Sequence, residues 1–221
     1  MIGAGFYNMD CMDGMQQFPD QYFDLAIVDP PYKGITRGGY MRNNQTTARL
    51  ARAKEYHTAL WEQEPPGVSY FNELFRVSKN QIIWGGNYFQ TLIHCDSQCW
   101  IVWDKQNGKN KFADCELAWT SFNKATRIFR YRWSGMLQEH MNDLKEQRIH
   151  PTQKPVALYK WILETFAEPG MKILDTHVGS GSSLIACARM GFEAWGFEID
   201  EQYYNAAAER IAKELAQLSL F

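Results

Sequence analysis

The chain reads as an α/β protein built on a mostly parallel sheet with helices on both faces, and three observations predict this class. Short apolar runs of strand length alternate with amphipathic stretches of helix length. Two of the apolar runs end in polar turns, Asp29-Pro30-Pro31-Tyr32 and Asp175-Thr176-His177-Val178-Gly179-Ser180-Gly181, as strands do at the carboxyl edge of such a sheet. Finally, 221 residues and 25.7 kDa suffice for one sizeable core and a small insertion, but not for a second full domain.

The elements follow from period and punctuation. Leu25 to Val28 is a continuous apolar run and reads as a buried strand. Val68 to Val77 is a helix entered after Pro65-Pro66-Gly67; Gln81 to Trp84 is a strand stopped by Gly85-Gly86; Asn87 to Ile93 is a short helix. Trp100 to Trp103 is apolar enough for a buried strand. Glu116 to Phe122 and Lys124 to Trp133 read as a hairpin of antiparallel strands turning near Asn123. A helix from Pro155 to Phe166 has proline in its first turn and Pro169-Gly170 as its stop. Met171 to Leu174 is a strand that runs through the glycine turn into a helical stretch, Leu184 to Met190, and Glu193 to Phe197 is the next strand. The last helix starts after Asp200, a natural N-cap, with Tyr203, Ala206, Ala207, Ile211 and Leu215 spaced to share one face.

Composition excludes several function classes. Net charge is −2 and pI about 6.2, so any nucleic-acid contact comes from local patches. One patch runs from Lys33 to Lys54 with Arg37, Arg42, Arg49 and Arg52 and no acidic residue, and is expected to be a mobile basic loop spanning about 33–60. The other, Lys105 to Arg132, interleaves basic residues with Phe112, Trp119, Phe122, Phe129 and Tyr131, a composition suited to phosphates and bases. Cysteines at 11, 95, 99, 115 and 187 form no Cys-x-x-Cys pair and no cluster with histidine at metal spacing, so no metal site is implied. An odd cysteine count, no charged and apolar leader and no long apolar run argue against secretion and membrane insertion; a cytoplasmic protein is expected.

Asp29-Pro30-Pro31-Tyr32 carries the most specific chemistry. The exocyclic amine of a nucleobase is nearly planar because its lone pair is delocalised into the ring, so it attacks electrophiles poorly. The Asp29 carboxylate and the Pro30 carbonyl can each accept one N–H bond and draw the nitrogen toward tetrahedral geometry. Pro30 and Pro31 fix φ and bring no competing N–H donors. Tyr32 offers a face for an extruded base, a contact worth roughly 1–3 kcal/mol. In the second turn, Gly179 and Gly181 allow positive φ and close approach of a ligand, and Ser182, Ser183 and the free N–H groups of the following helix suit a carboxylate. Glu198 lies 23 positions beyond Asp175, about where an acidic residue reaches ribose hydroxyls in dinucleotide-type folds.

Taken with His150-Pro151-Thr152-Gln153-Lys154-Pro155 and Met9-Asp10-Cys11, followed by Gly14-Met15, these motifs resemble those of S-adenosylmethionine-dependent DNA amino-methyltransferases of the β group, in which the catalytic motif precedes the cofactor turn. Trp103-Asp104-Lys105 resembles a further strand end of that family, and the compactness is similar to that of small phage and prophage adenine methylases. The resemblance implies a class I, Rossmann-like methyltransferase sheet with circularly permuted motif order over residues 1–221, a small target-recognition insertion at about 106–147, and duplex DNA as partner with the target base flipped. It allows a homodimer.

It also implies roles. Asp29, Pro30, Pro31 and Tyr32 hold the target base; Asp10 and Cys11 lie at the cofactor adenine; Glu198 takes the ribose; Gly179, Ser180 and Gly181 pass beneath the cofactor; Thr152, Gln153, Lys154 and Ser182 reach its methionine end. Asp175 and His177 belong to the same turn, where the family often carries Pro then Phe after the Asp; here the flat imidazole of His177 takes the place of the phenyl. Family members acting on cytosine more often carry Ser at the first position of the tetrapeptide, so Asp29 favours adenine; N4-cytosine and RNA methylation and an inactive DNA-binding remnant are the alternatives.

Overall fold

In β2 (Phe23–Val28), side chains alternate between two cores: Leu25 and Ile27 pack in one, Ala26 and Val28 in the other. A strand buried on both faces needs helices on both, and the computed structural model, which describes residues 2–32, 65–93, 96–108, 113–134, 137–141 and 145–218, has them. On one side lie α1 (Cys11–Met15), α2 (Val68–Val77) and α3 (Gln90–Ile93), contributing Met15, Tyr70, Phe71, Leu74 and Ile93. On the other lie α4 (Val156–Phe166) and α5 (Ser182–Met190), contributing Leu158, Ile162, Leu163, Ile185 and Ala186. The last helix, α6 (Glu201–Leu218), packs against α5, and the Asp200 carboxylate caps it by accepting the Gln202 and Tyr203 N–H groups at 2.9 and 3.0 Å.

The eight-stranded sheet has the order β1-β10-β9-β2-β3-β5-β4-β6, with β1 Gly5–Asn8, β3 Ser78–Trp84, β4 Trp100–Asp104, β5 Cys115–Thr120, β6 Arg127–Arg130, β9 Lys172–Asp175 and β10 Glu193–Glu198. Neighbours from β1 to β3 are parallel; β5 runs antiparallel to both β3 and β4; β4 and β6 are parallel. The expected mostly parallel sheet covered on both faces is therefore the observed architecture.

Four details differ from the expectation. The 116–133 hairpin does not form: β5 lies between β3 and β4, and β6 pairs with the far side of β4. The physical reason is burial. Ala118, Trp119 and Thr120 of β5 are buried and require an interior position, whereas β6 is mostly exposed and takes the edge, with residues 121–126 carrying the chain past β4. Second, β5 and β6 belong to the central sheet although they fall inside the expected 106–147 insertion; the part outside that sheet holds the small pair β7 (Trp133–Ser134) and β8 (Leu137–Gln138). Third, the apolar face of α6 is buried at Tyr203 and Ala207, while Leu215 is exposed. Fourth, β1 and α1 had no counterpart among the expected elements. The basic stretch at 33–60 lies outside the described residues. Among the described residues no helix is long and apolar enough to cross a membrane.

Candidate active site

Register places four acidic residues at one edge. Leu25 pairs with Ile173 and Ala26 with Leu174, so the parallel strands β2 and β9 run out side by side at Asp29 and Asp175. Gly196 pairs with Asp175 and Asn8 with Glu198, which brings Glu198 and, just past β1, Asp10 to the same carboxyl edge. One cleft there is lined by Asp10, Cys11, Pro31, Thr176, His177 and Glu198, among others. Residues from the proline tetrapeptide and from the glycine-turn unit thus share a single concavity.

The Asp29 carboxylate is held from one side. Its Oδ2 forms an ion pair with Lys154 Nζ, Lys154 Nζ lies 3.4 Å from Glu116 Oε2, and Lys105 Nζ donates to Glu116 Oε1. The Lys154 ammonium also sits over the Trp84 ring, 5.3 Å from its centroid. Asp29 Oδ1 is buried and has no hydrogen-bond partner among the described residues. Burial raises the Asp29 carboxyl above its ordinary value, and Lys154 works against that rise. Burial would also raise Glu116, but the ammoniums of Lys154 and Lys105 outweigh it and hold it low. Burial alone would lower Lys154; Asp29 and Glu116 keep it well above its usual value and therefore charged.

Tyr32 is placed by a glycine. Gly85 has φ of +67°, and a Cβ there would lie 2.6 Å from the Tyr32 ring, so only glycine lets the ring settle against this turn. Tyr88 stacks on Tyr32 with centroids 4.8 Å apart and planes 8° from parallel, and Phe89 meets it edge-on.

The second turn is built as a scaffold of backbone donors. Asp175 Oδ1 accepts the His177 N–H at 3.0 Å and Oδ2 accepts the Ser183 hydroxyl, while burial pushes this carboxyl up to about 6. Gly179 and Gly181 have φ of +55° and +81°, the left-handed conformations that turn the chain into α5. Glu198 Oε2 accepts the Gly179 N–H and Oε1 the Asp200 N–H, both at 2.9 Å; burial raises Glu198 to about 7. Each oxygen retains a lone pair for a further donor, which suits ribose hydroxyls. His177 is held neutral, its value lowered to about 4 by burial, and its Nδ1 lies 2.9 Å from Thr176 Oγ1. Thr176 Oγ1 in turn is 2.6 Å from the Tyr70 hydroxyl. The Cys11 thiol is pushed up to about 12 by burial, so it is not a thiolate.

Of the residues singled out from sequence, Asp10, Cys11, Pro31, His177 and Glu198 line the cleft; Asp175, Gly179, Ser180, Gly181 and Ser182 form its turn; Asp29 and Tyr32 flank it. The Pro30 side is buried beside Asp29. The 150–155 segment is otherwise engaged: Thr152 Oγ1 lies 3.1 Å from His150 Nδ1, Gln153 Oε1 accepts the Ile149 N–H at 2.9 Å, and Lys154 faces Asp29. The sequence singled out Lys105 only as part of a basic stretch and a strand end, and gave no role to Glu116 or Arg210. Arg210 donates to Ser180 O at 2.7 Å, Ser182 Oγ at 2.9 Å and Glu146 Oε2 at 2.7 Å, tying α6 to the glycine turn. No local motif marks Glu116 or Arg210, and the Lys105–Glu116 pair arises only through the fold.

Known proteins share this plan. The sequence profile described as DNA methylase, for N6 and N4 methyltransferases, matches residues 102–209. YubD of Escherichia coli strain K12, provisionally named a methylase, is 27% identical over 94% of this chain and 89% of its own length. Among solved structures, a complex of M1.HpyAVI with SAM superposes with a TM-score of 0.57 at 20% identity, over 93% of this chain and 98% of that one. The cytosine-N4-specific PvuII DNA methyltransferase superposes with a TM-score of 0.60 at 14% identity, over 97% and 92%. The sheet is thus that of the class I methyltransferases, and the profile match covers the strands and helices that carry the glycine turn and Glu198. By fold, motif order and sequence, the chain is similar to the N6/N4 DNA methylases.

Proposed function

We propose that the protein methylates the exocyclic N6 amine of adenine at a specific site in duplex DNA, by direct transfer to a flipped base. The observation that supports this reading is the shared cleft, in which Pro31 of the proline tetrapeptide meets His177 and Glu198. S-adenosylmethionine, when bound, supplies a methyl group on a positively charged sulfur that leaves as a neutral thioether. Its fit rests on the donor set: Asp10 and Glu198 offer carboxylates for the nucleoside, and Gly179, Ser180 and Gly181 offer a backbone without side-chain bulk beneath it. Cys11 and His177 line the same cleft, and Ser182, at the start of the helix that follows the turn, would take the methionine end.

The chain's own residues act on the amine. Asp29 Oδ1 and the Pro30 carbonyl accept its two N–H groups, which localises the nitrogen lone pair, and Tyr32 stacks on the base. Because Asp29 polarises the amine by accepting a hydrogen bond, the proton leaves to water after methyl transfer. The parts of residues 106–147 outside the buried strand β5, with the loop after Tyr32, read the DNA sequence, and the basic side chains Lys124, Arg127, Arg130 and Arg132 contact phosphates.

Adenine is favoured by Asp29 at the first position of the tetrapeptide. The test is incubation with methyl-labelled S-adenosylmethionine and unmethylated genomic DNA, followed by nucleoside mass spectrometry. N6-methyladenine is expected; N4-methylcytosine would reassign the base, label in matched RNA alone would reassign the substrate, and cofactor binding without label in either would make the chain an inactive DNA-binding subunit.

A further inference from the structure

The Asp29 cluster contains two carboxylates, Asp29 and Glu116, and two ammoniums, Lys105 and Lys154, drawn from the ends of β2 and β4, from β5 and from the segment before α4. Its formal charge is zero. The Lys154 side chain is 3% exposed and its ammonium already serves both carboxylates and lies over the Trp84 ring. A third carboxylate on the same ammonium, from a bound ligand, would leave a buried negative charge without compensation. Asp29, by contrast, has one oxygen held and the other buried without a hydrogen-bond partner among the described residues. A carboxylate oxygen left so is costly until a donor arrives.

We propose that Lys154 is a positioning residue for Asp29: held by Glu116, which Lys105 anchors in turn, it fixes Oδ2 and compensates the carboxylate's charge, so that Oδ1 is the acceptor presented to the target amine. This rests on the function proposed above and replaces the cofactor's carboxylate with Asp29 as the object of the Lys154 charge. Other groups in the electrostatic neighbourhood of Asp29 are Asp175 from β9 and the phenols of Tyr32, Tyr70 and Tyr159, which burial keeps neutral. Asp175 titrates in wild type and variants alike, so only the displacement between proteins reports on Asp29.

The test is the dependence of kcat on pH from 5 to 9 on unmethylated duplex DNA at saturating S-adenosylmethionine, with cofactor affinity measured separately by calorimetry. Lys154→Met removes the compensating cation and is expected to move the acid limb of kcat upward by ~1–3 pH units, with cofactor Kd changed less than about twofold, as cofactor binding does not involve the lysine in this scheme. Glu116→Gln removes a repelling neighbour of Asp29 and is expected to move the same limb downward. Opposite displacements are a signature that loss of packing does not produce, and Glu116→Gln supplies a reading should Lys154→Met fail to fold. An acid limb unmoved in Lys154→Met, or, where that variant does not fold, an upward or absent shift in Glu116→Gln, overturns the proposal. Wild-type protein that labels no DNA overturns the underlying function instead.

Discussion

Asp29 and Cys11 stand near the same cleft and are pushed in the same direction by burial, yet the consequences differ. A cysteine raised to about 12 is a neutral thiol at any working pH and has no part in a reaction whose nucleophile is an amine. At Asp29 burial raises the carboxyl while the Lys154 ammonium works against that rise, and the oxygen that the lysine does not hold is an acceptor. Asp29→Ala is therefore expected to lower methylation by ~10²–10³-fold, while Cys11→Ala keeps substantial activity; single-turnover methylation of both variants checks this, and loss of turnover in Cys11→Ala with normal cofactor binding would contradict it. Glu198 gives a pH prediction. Raised to about 7, it is partly protonated in the free protein near neutrality, and hydroxyl donors favour its ionised form. Cofactor affinity is accordingly expected to fall as pH drops from 8 to 6. In Glu198→Gln that dependence is expected to flatten, a comparison calorimetry makes directly.

At the level of elements, the site depends on turns that only particular residues permit. Gly85 ends β3 in a left-handed conformation with Tyr32 lying against it. Gly85→Ala is expected to cost about 1–2 kcal/mol in backbone strain and to displace Tyr32 from its stack on Tyr88, so that turnover falls more than cofactor affinity; thermal melting with steady-state kinetics would show it. These turns were legible in the sequence because glycine and proline leave local signs: Gly179 and Gly181 do carry positive φ, and α2 occupies the expected Val68–Val77. Strand partnership left no such sign. Both β5 and β6 have strand composition, but which of them enters the sheet depends on the burial of Ala118 and Trp119 against β3 and β4, a non-local matter. The same holds for Lys154. Its charge and its place before a helix were visible, whereas Asp29 and Glu116, 125 and 38 positions away, become its partners only through the fold.

Across the whole molecule, a nearly neutral chain presents its chemistry at one edge of one sheet. Four strands, β1, β10, β9 and β2, deliver Asp10, Glu198, Asp175 and Asp29 to that edge, and each arrives there because parallel pairing fixes the register of the next. In the proposed function this edge brings a target amine and a sulfonium methyl together. The most direct measurement is a crystal structure of the protein with its DNA site and a non-reactive amine analogue of the cofactor. An extruded base is expected to stack on Tyr32, its exocyclic nitrogen within hydrogen-bonding distance of Asp29 Oδ1, roughly 2.6–3.2 Å, and facing the analogue's amine over the Gly179–Gly181 turn. A base bound elsewhere, or an analogue seated away from that turn, would contradict it.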